Sequence, residues 1–392
     1  MPHNNLQSQF LLNPGITYLN FGSFGACPKP IFEDYQNWQR ELETEPVQFM
    51  TVNGPRYLKT SREALAQYIH CNADDVVYVT NPSYGINIIA KSLQLNAGDE
   101  ILSTNLEYGA LDRTWNYYCK KAGAKYVRQE ISLPLVSKEQ FVDDFFKGLT
   151  SKTKAIFISH ITSATALIFP VKEICDIAKA KGLFTIVDGA HVPGHIPLDI
   201  AELQADVYTG ACHKWMCAPR GCSFLYVKKE WQHLFDPLLI SWGYDSASTS
   251  DSQFLDYHQF QGTRDFSAFL TVPRTIQFLQ ENDWPAVAKD CRQIAQSNYM
   301  RFCNLLNTKP LCPVTDEFLG QMCSIPVSTS QPQKLQQLLF EKYGIEVPVM
   351  KQGDLTFIRY SIQAFNSQED LDKLYDALKE IIGEGDLIAI SL

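Results

Sequence analysis

The sequence predicts an α/β protein, with a large domain built on a mostly parallel seven-stranded sheet and a smaller α+β C-terminal domain. Three observations carry this. Between about Asp75 and Lys228, short β-branched or apolar runs alternate with longer segments of helical periodicity, the pattern of βα units feeding a parallel sheet. After Phe235 the alternation stops, and a second series of strand and helix patterns begins at Gln321. At 392 residues, 45% of them hydrophobic and 20% charged, the chain is too long for one small core.

The seven strands are expected at Val76–Thr80, Glu100–Ser103, Lys125–Gln129, Thr153–His160, Leu183–Val187, Asp206–Gly210 and Gly221–Val227. Helical patterns lie between the earlier ones, at Ser83–Leu95, Leu111–Ala122, Lys138–Leu149 and Val171–Lys181. A polar stretch of little periodicity, Ser241–Asp265, reads as a loop passing over the surface near a site. Two long helical patterns follow, Phe266–Glu281 and Trp284–Leu306, and then a β, α, β, β, α series from Gln321 to Ile382. The expected division is an N-terminal arm at 1–20, a large domain at 21–265 and a small domain at 266–392.

A net charge of -9 and the lack of any basic run argue against a nucleic acid or an anionic membrane as partner. No apolar run is long enough to span a bilayer. Residues Met1 to Phe10 lack the positive and apolar regions of a secretory signal, so a cytoplasmic location is expected. The eleven cysteines are scattered, many within apolar stretches such as that around Cys175, and read as reduced core thiols. Cys212, Cys217 and Cys222 are evenly spaced, but there is no Cys-x-x-Cys pair or matching histidine pair, so no metal site is expected.

The chemistry concentrates at two strand ends. A buried strand pattern ends in Asp188-Gly-Ala-His191, and the next ends in His213-Lys214. In a parallel sheet those ends share the crevice where ligands bind. An acid and a lysine placed so suit pyridoxal phosphate: the lysine forms an imine, and the carboxylate keeps the pyridine nitrogen protonated. Spacing alone is a weak signal and favours a strand-end ion pair, or an aspartate capping the next turn.

Five segments in order decide between them: Tyr18-Leu-Asn-Phe-Gly-Ser-Phe-Gly25, Val187-Asp-Gly-Ala-His191, Gly210-Ala-Cys-His-Lys-Trp-Met-Cys-Ala-Pro-Arg-Gly221, Gly262-Thr-Arg-Asp265 and Ile358-Arg-Tyr-Ser-Ile-Gln-Ala-Phe-Asn366. Together they resemble the class V aminotransferase superfamily, and within it the isopenicillin N epimerase-like and cysteine desulfurase-like proteins. The resemblance implies the fold type I of pyridoxal-phosphate-dependent transferases, with pyridoxal 5′-phosphate on Lys214 and Asp188 at the ring nitrogen.

By the same resemblance, His191 donates to the ring's phenolate oxygen, Tyr108 stacks on the ring, and His213 packs beneath it. The phosphate falls to the helix N-terminus at Thr80–Gly85, through Ser83 and Tyr84, with Asn81 and Ser163 completing the cofactor-binding set. Ser83 also reads as a simple N-cap. Related desulfurases carry a serine three residues before the lysine; here it is Ala211, so one phosphate contact must come from elsewhere. Gly262 and Thr263 resemble the turn that reaches the neighbouring subunit's phosphate, which implies a homodimer with shared active sites. Arg359, at the end of a strand, matches the arginine that clamps a substrate α-carboxylate. Asn20 and Ser23 would line the same space.

The implied substrate is a small amino acid whose Cα proton is moved by Lys214. Epimerisation or racemisation, C–S or other β-eliminating lysis, and transamination share that first step, and a non-catalytic cofactor-binding protein is the remote alternative. Epimerisation also needs an acid on the face opposite Lys214, for which Tyr84 and Tyr108 are candidates. Persulfide-forming desulfurases carry a cysteine on a mobile loop shortly before the carboxylate arginine, and between Gly344 and Arg359 there is none.

Overall fold

The computed structural model describes residues 6–247 and 249–390. Half of the N-terminal segment read for a secretory signal (residues 1–5), one residue of the predicted 241–265 loop and the last two residues of the chain lie outside the described residues.

A two-residue strand, β1 (Thr17–Tyr18), is followed by two helices, α1 (Lys29–Thr44) and α2 (Gly54–Ile69). The βα series then begins: β2 (Val76–Val79), α3 (Pro82–Ser92), β3 (Glu100–Thr104), α4 (Gly109–Ala122), β4 (Lys125–Gln129), α5 (Lys138–Phe146), β5 (Thr153–Ser159), α6 (Val171–Ala180), β6 (Phe184–Gly189), β7 (Val207–Ala211) and β8 (Ser223–Val227). All seven strands form one sheet in the order β2-β8-β7-β6-β5-β3-β4. Only β8 runs antiparallel to its neighbours. The central strands are buried along nearly their whole length, because helices cover both faces, and this is why they read as continuous apolar runs.

The predicted loop after Phe235 contains a short helix, α7 (Gln253–Gln259), whose N-cap Ser252 accepts the Leu255 N–H. The helical pattern predicted over Phe266–Glu281 is two helices, α8 (Ser267–Leu270) and α9 (Val272–Glu281). Pro273 causes the break: it has no N–H to give the Phe269 carbonyl, which accepts from the Ser61 hydroxyl at 2.6 Å instead. The next helix, α10 (Trp284–Leu305), is continuous.

The C-terminal part comprises β9 (Met322–Pro326), α11 (Pro332–Tyr343), β10 (Ile345–Glu346), β11 (Val349–Gln352), β12 (Leu355–Ser361) and α12 (Gln368–Glu384). An antiparallel sheet of order β11-β12-β9 packs on α10. β1 pairs in parallel with β10, Thr17 opposite Ile345, so the N-terminal segment is strapped to this part of the chain. Between β11 and β12 the turn holds only Gly353 and Asp354, with Gly353 at φ 57°.

Candidate active site

The C-terminal ends of the parallel strands converge on one cavity of about 460 Å³. Ser159 and Asp188, paired across β5 and β6, stand on its floor. Lys214 enters from the turn after β7, and Tyr108 from the N-cap position of α4. Arg359 and Met350 close it from the C-terminal sheet.

Of the residues expected from sequence, Ser23, Asn81, Ser83, Tyr108, Ser163, Asp188, His191, His213, Lys214 and Arg359 line this cavity. Asn20 stands one bond behind it, accepting from the Ser23 hydroxyl at 2.5 Å and donating to Glu346 at 3.0 Å. The Tyr84 hydroxyl points elsewhere, donating to the Gln261 side chain at 2.9 Å. Gly262 and Thr263 are exposed and lie outside their own chain's cavity. The N-cap of α3 is Asn81 rather than Ser83: its Oδ1 accepts the Tyr84 N–H at 2.8 Å, and Pro82 fills the first helical position, where a missing N–H does no harm.

Electrostatics give the cavity its chemistry. Burial pulls the Lys214 amine down to about 8, the Arg359 charge pulling the same way and Asp188 opposing. Burial raises Asp188 to about 6, while the Ala190 N–H, bonded at 3.0 Å, and the Lys214 charge favour its anion. His191 Nε2 and Lys214 Nζ lie 3.2 Å apart. His213 shares a 2.9 Å hydrogen bond between Nδ1 and the Cys222 carbonyl.

Arg359 is 1% exposed and has no carboxylate partner among the described residues. Nη1 donates to the Ser163 carbonyl at 2.6 Å and Nη2 to Ser23 Oγ at 2.8 Å, while Nε is unbonded. A buried cation without a counter-ion is costly, and a ligand carboxylate removes that cost. Arg359 sits inside β12 opposite Ser324, not at the strand's end as the sequence suggested, because the strand continues to Ser361.

Two residues here escaped the sequence reading. Ser159 closes β5 beside Asp188, and Glu107, just before Tyr108, is buried beneath it. Glu107 accepts from Ser159 N at 2.9 Å, from Ser159 Oγ at 2.5 Å and from Thr104 Oγ1 at 2.8 Å. Burial raises its carboxyl to about 8, with Asp188 adding to the rise. Ser159 ends its strand level with Asp188, a signal that strand pairing alone would have exposed.

A cavity of this size suits a cofactor with its substrate. The residues present fit pyridoxal phosphate: an amine for the imine, an acid for the ring nitrogen, an aromatic side chain at the mouth, and a helix N-terminus for a dianion. Comparison with known proteins agrees, since the profile of the family described as Aminotransferase class-V matches residues 31–374. The chain belongs to the class-V aminotransferase family. As a member it is a pyridoxal-5′-phosphate-dependent enzyme.

Among class-V relatives, the isopenicillin N epimerase of Amycolatopsis lactamdurans is 31% identical, the match covering 96% of this chain and 98% of that one. A putative L-cysteine desulfhydrase 1 of Oryza sativa subsp. japonica is 27% identical, over 95% of this chain and 84% of the other. In structure the fold matches a cysteine desulfurase from Thermococcus onnurineus NA1 with a TM-score of 0.83 at 19% identity, covering 98% and 99% of the two chains. No helix among the described residues is long and apolar enough to cross a membrane.

Proposed function

We propose that this enzyme inverts configuration at the α-carbon of a small amino acid, with Lys214 carrying the α-proton on one side and the Tyr108 hydroxyl on the other. The observation that supports it is that Lys214 and Tyr108 line one cavity together with Arg359. An α-carbon next to a carboxylate held by Arg359 then stands near two proton carriers. Tyr84, whose hydroxyl is engaged by Gln261 outside the cavity, is the weaker candidate for the second role.

Pyridoxal phosphate, when bound, would supply the electron sink that makes the α-proton acidic. Lys214 is suited to take that proton, because an amine brought down to about 8 is partly neutral near neutral pH. When the cofactor is bound, Asp188 would hold its ring nitrogen, His191 would face its ring oxygen and His213 would pack beneath it, with Asn81, Ser83 and Ser163 helping to hold it. Arg359, oriented by Ser163 and Ser23, takes the substrate carboxylate through its remaining donors.

A second reading, a C–S β-eliminating lyase, is favoured by the desulfhydrase relatives and by a cavity whose lining contains no cysteine. Elimination needs no protein thiol, whereas persulfide transfer does, and the region before Arg359 is a tight β11–β12 hairpin instead of a cysteine-bearing loop. In that reading Lys214 keeps its role and Tyr108 protonates the leaving group.

The homodimer is part of the same proposal. Gly262 packs beside Leu239 and Ser241, in a surface strap where Leu239, Ile240 and Trp242 are 51%, 59% and 89% exposed. Contiguous exposed apolar surface of this kind marks a docking face, and a second copy would bring Gly262 and Thr263 to the partner's cofactor. A monomer by light scattering, at concentrations where the enzyme is active, would remove this part.

The deciding experiment adds single L- and D-amino acids, cysteine and cystine included, to the holoenzyme while recording visible absorbance and analysing products by chirality. Inverted amino acid supports the proposal; sulfide or another eliminated group with an oxo acid assigns the lyase; an oxo acid with an aminated cofactor assigns aminotransfer.

A further inference from the structure

We infer that Trp215 is a positioning residue that locks His191 as a neutral imidazole with its proton on Nε2. The inference rests on the proposal above that His191 faces the ring oxygen, and it adds what makes His191 a donor there.

The indole Nε1–H of Trp215 lies 3.2 Å from His191 Nδ1. An indole nitrogen only donates, so Nδ1 must present its lone pair, and the proton of a neutral ring then sits on Nε2. Nε2 is the atom facing the cavity, 3.2 Å from Lys214 Nζ. Protonating Nδ1 would set two N–H groups against each other. Burial opposes a cation at His191 most strongly, and the Lys214 and Arg359 charges act the same way.

The indole is itself held. The His195 ring stacks on it, centroids 3.9 Å apart and planes inclined by 22°. His195 is fixed at both nitrogens: Nε2 accepts the Gln321 backbone N–H at 2.6 Å, which leaves Nδ1–H to donate to the His191 carbonyl at 2.9 Å. Two glycines make room for this stack. A Cβ on Gly320 would come within 2.2 Å of His195 Nε2, and one on Gly194, at φ 82°, within 2.4 Å of the Trp215 carbonyl. Trp215, His195 and His191 are 0%, 4% and 2% exposed, so water does not compete for these bonds. Gln321 immediately precedes β9, so the backbone of the C-terminal part sets the tautomer of His195, in the segment that follows β6.

A donor held at the ring oxygen draws charge from it and weakens its hold on an imine proton, which lowers the pH midpoint of the bound cofactor's visible band. Trp215→Phe keeps an aromatic ring against His195 and removes only the N–H. It is expected to raise that midpoint by about one to two pH units, the size of one hydrogen bond to a charged group. An unchanged midpoint, even with turnover lost, would mean that Trp215 serves packing alone and would overturn the inference.

Nitrogen NMR of histidine-labelled wild-type holoenzyme gives a second reading that does not depend on the variant folding. His191 should show a bare Nδ1 and a protonated Nε2 through the neutral range, and a proton on Nδ1 refutes the lock. Neither result depends on which product the enzyme makes, so failure here and failure of the epimerase reading are separable.

Discussion

Glu107 offers a stability test whose sign and size follow from its surroundings. It is 1% exposed, and its folded-state carboxyl is raised from 4.5 to about 8, chiefly by burial. Between those values the folded protein keeps a proton that the unfolded chain has lost, so stability falls as pH rises through this window. At about 1.4 kcal/mol per pH unit, the loss between about pH 5 and pH 7 is on the order of 2.5 kcal/mol. Glu107→Gln removes the titration and keeps the geometry: the amide oxygen accepts from Ser159, and the amide N–H donates to Thr104 Oγ1. Spread over 392 residues at roughly 2.1 cal/mol/K each, the difference is about 3 °C in thermal midpoint. Wild type and variant should melt together at the acid end, and the variant should gain this margin at neutrality. Asp188, raised to about 6, pushes the same way in both proteins, and Lys214 acts only above about 8, so the difference between the two curves isolates Glu107. A difference independent of pH, or one that grows toward acid, would refute the assignment of a protonated acid beneath Tyr108.

Reconstitution of the apoprotein with pyridoxal phosphate should accelerate as pH rises through about 8, because only the neutral Lys214 amine forms an imine. A midpoint near the ordinary 10.5 would show that burial does not act on it. Arg359→Lys cannot bond both the Ser163 carbonyl and the Ser23 hydroxyl and still offer a fork, so KM should rise about ten- to a hundredfold with the visible band unchanged. An unaltered KM would move the carboxylate site elsewhere. Gly320→Ala forces a Cβ against His195 and should destabilise the fold by about 1–3 kcal/mol, read as a lower thermal midpoint; wild-type melting would show that the His195 stack tolerates displacement.

The parallel sheet was legible because its strands are buried on both faces and their apolar runs are bounded by turns; β4 began and ended where predicted, and β5 one residue shorter. Among the helices named above, α1, α2 and α7 were not seen. α1 buries only Ile31 and is otherwise largely polar, so it does not stand out as a core element, and the buried face of α2 includes Ser61 and Arg62, which are not apolar. Arg62 is tolerated there because it bonds the Ala73 carbonyl, Gln259 and Asp74. Most of the residues that line the candidate site were legible from short motifs, several of them at strand ends, Lys214 and Asp188 among them. The supporting layer was not. His195, Trp215, Glu107 and Ser159 act through contacts between segments far apart in sequence, and no local spacing announces such a contact.

The two-residue turn between β11 and β12 bears on how the pocket moves. The last residue of β11, Gln352, reaches across to donate to the backbone carbonyls of Asn105 at 2.8 Å and Glu107 at 3.3 Å, gripping the segment that ends in Tyr108. The clamp on Arg359's strand and the aromatic wall on the opposite side are therefore rivets of one plate. A displacement of this hairpin from the large sheet would have to break both Gln352 bonds or drag the segment before Tyr108 with it. The short turn fixes where Gln352 lies, and with it the point at which the C-terminal sheet is pinned to the wall of the pocket.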